Sequence, residues 1–93
     1  MNRRPMRILV VDDDADIRMI VSATLRKLPL PVQIDVAEDG VIAVEKATAN
    51  PPDMVVLDVM MPRLDGFGTC RALRENLRTA FVPVLMLTAS ADQ

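Results

Sequence analysis

Arg7-Ile8-Leu9-Val10-Val11-Asp12-Asp13-Asp14 is a short, branched apolar run that ends abruptly in three acids. A continuous run of this kind fits a strand covered on both faces, as in a parallel sheet. The same signature recurs at Met54-Val55-Val56-Leu57-Asp58 and at Val82-Pro83-Val84-Leu85-Met86-Leu87-Thr88. Pro83 has no N–H to give a ladder, so it fits only near the start of its strand. Val32–Ala37 instead alternates Val32, Ile34 and Val36 with Gln33 and Asp35, which predicts an edge strand with one solvated face.

Helical spacing fills the gaps. Ile17, Ile20, Val21, Leu25 and Leu28 recur at that period behind a capping Asp14, and Pro29 and Pro31 stop the run. Asp39-Gly40 opens a second helix carrying Val41, Val44 and Ala47, ended by Asn50-Pro51-Pro52. Asp65-Gly66 opens a third with Phe67, Cys70, Leu73 and Leu77 on one face. The order βαβαβαβ predicts an α/β domain, with helices on both faces of a parallel sheet.

The bulk numbers exclude several classes. The 93 residues suffice for one small domain with one core, and 51% of them are hydrophobic. The longest apolar runs are far too short to cross a bilayer. The basic start, Met1–Arg7, is followed by no long apolar segment, so a cytoplasmic protein is expected. With 11 basic and 13 acidic residues the net charge is −2, which gives no footprint for nucleic acid. The single cysteine, Cys70, rules out an intrachain disulfide. The absence of histidine removes the commonest general base, and this chain cannot itself carry phosphohistidine.

In a parallel α/β sheet the strand ends meet at one carboxyl edge, where such folds place ligands. That edge would collect Asp12, Asp13 and Asp58, the loop with Pro62 and Asp65-Gly66, and the hydroxyl of Thr88. Each piece has a plainer reading. Acids favour helix starts, Pro and Gly punctuate turns, and Thr favours strands. Helix capping needs only one acid, however, and Asp14 is best placed for it. The first and third strands should be neighbours, which brings Asp58 near Asp13. Three such carboxylates would raise one another's pKa unless a cation offset them. Mg²⁺ suits such a hard-oxygen site. A carboxylate can also accept a phosphoryl group. Ala89, being small, leaves room beside Thr88.

Taken together, Ile8-Leu9-Val10-Val11-Asp12-Asp13, Val56-Leu57-Asp58-Val59-Met60-Met61-Pro62, Leu64-Asp65-Gly66 and Leu87-Thr88-Ala89 resemble the receiver domain of two-component response regulators (CheY-like) in order and spacing. The resemblance implies a flavodoxin-like doubly wound parallel sheet of order 2-1-3-4. It implies Asp58 as phosphoacceptor and Asp13 as direct Mg²⁺ ligand, with Asp12 acting mainly through water. The Met60 carbonyl would complete the metal's protein ligands, and Thr88 would be the switch hydroxyl. The donor would be a sensor histidine kinase or histidine phosphotransfer protein. Any enzymatic activity would be limited to self-phosphorylation from phosphohistidine and autodephosphorylation.

The family pattern continues with a fourth helix, a lysine at a fifth strand and a fifth helix. Here five residues follow Thr88, and the last basic residue is Arg78. Residues 1–93 are therefore expected to form a receiver domain incomplete at its C-terminal end, with an output domain beyond Gln93. The apolar fourth strand would be an exposed edge and a route to a homodimer. Two alternatives stay open. One is a non-phosphorylated receiver-like scaffold. The other is a haloacid-dehalogenase-type phosphatase using Asp12 as nucleophile and Asp14 as acid–base.

Overall fold

The computed structural model describes residues 4–59, 61 and 64–87. Strand β1 is Met6–Val11, helix α1 Ala15–Leu25, β2 Val32–Ala37 and α2 Gly40–Ala49. Then come β3 Met54–Asp58, α3 Gly66–Glu75 and β4 Val84–Leu87. The strands form one parallel sheet in the order β2-β1-β3-β4, as the sequence predicts. Val11 sits opposite Ala37 on one side and Leu57 on the other, and Asp58 opposite Leu87. All the strands therefore run out at the same edge.

Alternation along β1 divides the core between the faces. Leu9 and Val11 pack with Ala37, Ala43, Ala47, Val55, Leu57 and Leu73 on the side of α2 and α3. Ile8 and Val10 pack with Val56 on the other side, where Val21 and Leu25 of α1 contribute. Each helix starts with an aspartate N-cap. The Asp14 carboxylate accepts from Asp16 N and Ile17 N, that of Asp39 from Ile42 N, and that of Asp65 from Gly68 N. Such caps satisfy otherwise orphaned amides and complement the helix dipole.

Several element ends and faces differ from the sequence reading. Helix α1 ends at Leu25, and Lys27 and Leu28 close tighter turns onto Thr24 O and Leu25 O. Its inward face carries Ser22 with Val21 and Leu25, whereas Ile17 and Ile20 are exposed at 38% and 59%. Helix α3 ends at Glu75 because Asn76 turns to extended backbone, so Leu77 leaves the apolar face and is 96% exposed. Phe67 also points outward. β4 begins at Val84, since Val82 N is committed to a turn with Thr79 O and Pro83 has no N–H.

Candidate functional site

Asp12 continues β1 by one residue and is held at three points. Its N–H donates to Ala37 O (3.2 Å), its carbonyl accepts from Arg18 Nη1 (2.7 Å), and its Oδ1 accepts from Asp14 N (2.9 Å). It is 7% exposed, while Asp13 beside it is open to solvent. Asp58 ends β3 half-buried, and the next residue keeps the ladder going through Val59 N to Leu87 O (3.1 Å). One carboxylate oxygen from each of Asp12, Asp13 and Asp58 can be chosen so that all lie within 4.8 Å of one another.

The sheet register causes this convergence. Val11 pairs with Leu57, so the residues just past each partner must meet. The cost is visible at Asp12. Burial pushes its carboxyl up, and the neighbouring Asp58 and Asp13 charges add to that against the opposing hydrogen bond from Asp14 N. A clustered set of hard oxygens of this kind fits a small divalent cation, and Mg²⁺ in particular.

Close backbone packing supports the acids from below. Gly66, the first residue of α3, donates to Val59 O at 3.0 Å. A Cβ built on Gly66 would lie 2.6 Å from Asp58 O and from Val59 Cα. Gly40 at the start of α2 abuts Leu64 and the fully buried Thr69, whose hydroxyl donates to Asp65 O at 2.7 Å. The starts of α2 and α3 are thereby fastened to each other and to the end of β3.

Of the residues named from sequence, Asp12, Asp13 and Asp58 come together, and Asp65 and Gly66 shape the loop beside them as helix cap and contact. Met60, Pro62, Thr88 and Ala89 lie outside the described residues. Asp14 is occupied in capping α1 and does not join the acids, which disfavours a phosphatase that would use it as acid–base. Sequence reasoning missed Arg18, Gly40 and Thr69. Arg18 offered no signal because its partner is a backbone carbonyl. Gly40 could have been suspected as a close approach from its place at a helix start.

Comparison with known proteins gives the class. The response regulator receiver domain family matches residues 8–93. The DNA-binding dual master transcriptional regulator RpaA of Synechocystis is 46% identical over 83 residues, covering 89% of this chain and 34% of that protein. Chemotaxis protein CheY4 of Vibrio cholerae superposes with a TM-score of 0.85 at 35% identity, over 96% of this chain and 72% of that one. The receiver domain of the Pseudomonas aeruginosa sensor histidine kinase PA1611, solved with magnesium in its active-site cleft, gives 0.87 at 31% identity over 97% and 72%.

The chain belongs to the response regulator receiver domain family, the phosphoacceptor modules of two-component signalling. Domains of this family bind Mg²⁺ in the active site and interact with histidine kinases or phosphotransfer proteins. The chain spans about a third of the length of RpaA. Among the described residues, no helix is long and apolar enough to cross a membrane.

Proposed function

We propose that Asp58 accepts a phosphoryl group from a phosphohistidine on a partner kinase or phosphotransfer protein. The observation that carries this is the convergence of Asp12, Asp13 and Asp58 at the carboxyl edge of the sheet. Asp13 and Asp58 would hold Mg²⁺ directly and Asp12 would act through water. The Met60 carbonyl and the Thr88 hydroxyl take the roles that the family pattern implies. Bound Mg²⁺ supplies charge neutralisation for the transferring oxygens.

An Asp58 carboxylate oxygen attacks phosphorus, and the P–N bond to the donor imidazole breaks. The departing nitrogen keeps the electron pair and takes up a proton. Asp58 is suited to this because it ends a strand of fixed register, with Gly66 packed against its backbone. Asp12 is suited to a supporting role because its backbone and one carboxylate oxygen are already tied.

Residues 1–93 belong to a receiver domain, incomplete at its C-terminal end, that acts in the cytoplasm and passes its signal to an output domain. Copies associate through β4, whose outer edge pairs with no strand among the described residues. Intact-mass measurement after acetyl phosphate and Mg²⁺ tests the chemistry. One phosphoryl adduct is expected on the wild type and none on Asp58→Asn. An adduct that persists in Asp58→Asn would move the acceptor elsewhere, with Asp12 the first suspect. No adduct on the wild type would favour the scaffold.

A further inference from the structure

We infer that Arg18 is a positioning residue for the cation site, acting on Asp13 through the backbone of Asp12. Arg18 lies in the first turn of α1, tied by its own N–H to Asp14 O at 3.0 Å. Its side chain folds back over the loop, and Nη1 donates to Asp12 O at 2.7 Å. The ion pairs among the described residues, Arg4–Asp53 and Lys46–Asp35, do not involve Arg18. The guanidinium is thus committed to a backbone carbonyl and to none of these carboxylates.

That carbonyl belongs to the peptide plane shared by Asp12 and Asp13. A planar peptide has no soft torsion of its own. Fixing its oxygen fixes the direction of the bond to Asp13, and hence the Cα from which the more exposed acid would reach a cation. Asp12 N to Ala37 O fixes the preceding plane, and Asp12 Oδ1 to Asp14 N fixes the following turn. Arg18 supplies the remaining tie. A hydrogen bond from a charged donor is stronger than a neutral one.

Arg18 also brings a positive charge, and the two effects oppose each other in sign. As a charge beside the acids it repels Mg²⁺, so removing it should tighten binding. As a tie on the Asp12–Asp13 peptide it pre-forms the site, so removing it should weaken binding. The geometry favours the tie, because the contact is short, directed and made to backbone. Outer partners that orient ligands change metal affinity by roughly ten- to a hundredfold.

This inference rests on the Mg²⁺ site proposed above, and titration calorimetry of the 93-residue chain with Mg²⁺ separates the two. Wild type should bind and Asp13→Asn should not. Arg18→Met should bind about tenfold more weakly, and Arg18→Lys, which keeps a donor and the charge, should recover part of the loss. Unchanged or tighter binding by Arg18→Met would overturn the positioning role while leaving the metal site intact. If Arg18→Met lacks a cooperative melt, Arg18→Lys decides, since its shorter reach should still weaken binding and wild-type affinity would refute the tie. A wild type that does not bind Mg²⁺ removes the metal reading and this inference with it.

Discussion

Asp53 shows how a single carboxylate links charge to fold stability. It accepts from Arg7 N at 2.8 Å and from Arg4 Nη2 at 3.1 Å, tying the start of β1 to the start of β3. The Arg7 N–H, and after it the Arg4 guanidinium, holds its carboxyl below the usual range. The ionised form is therefore favoured in the folded state. Its contribution is present above the unfolded carboxyl's pKa of about 3.9 and is lost as pH falls through the lowered folded value. Urea melts at pH 6 and near pH 3.5 should show wild type losing more stability than Asp53→Asn, whose amide oxygen keeps the acceptor without the charge. Equal losses would refute the linkage. Ser22 gives the opposite lesson. Its hydroxyl is buried on α1 with no partner among the described residues. Ser22→Ala removes that desolvated group and favours the helix, so stability should rise by about 1 kcal/mol in a urea melt. A loss would point to a buried water bonded to the hydroxyl.

At the scale of elements, the contact between α3 and the end of β3 decides how the acids are presented. Gly66 permits a backbone approach that any Cβ would block at 2.6 Å, against main-chain atoms that cannot rotate away. Gly66→Ala carries the helix propensity of alanine, a gain of at most about 1 kcal/mol. The overpacking it creates costs about 1–3 kcal/mol and pushes on Asp58 itself. The variant should therefore melt at lower urea and take up phosphoryl from acetyl phosphate more slowly. A more stable variant with wild-type phosphorylation would show that α3 can shift freely. Element identity was legible because uninterrupted apolar runs and aspartate caps are local patterns. Element faces were less so. Ile17 and Ile20 match a helical period but sit outside, because α1 meets the sheet through Val21, Ser22 and Leu25.

For the molecule as a whole, the two sides of the sheet are unequally covered. Leu85 of β4 pairs with Val56 in register yet is 53% exposed, and Phe81 just before β4 is 96% exposed. An apolar strand with an unpaired edge templates association, and an edge lysine opposes it. Light scattering across a concentration series should show the 93-residue chain self-associating, and Leu85→Lys should shift it towards monomer. A wild type that stays monomeric throughout would remove β4 as an interface.

The amino-acid sequence by itself determined the alternation of strands and helices, the caps, and the three acids at strand ends. These follow from spacing between near neighbours in the chain, which periodicity records directly. The tertiary structure decided what depends on separate segments meeting. The β1–β3 register brought Asp58 to Asp12 and Asp13 as the expected strand adjacency requires, but only the fold set Gly40 against Thr69 and aimed Arg18 at the Asp12 carbonyl. A backbone oxygen is the same at every position, so the residue that seeks one leaves no mark in the sequence until the fold brings them together.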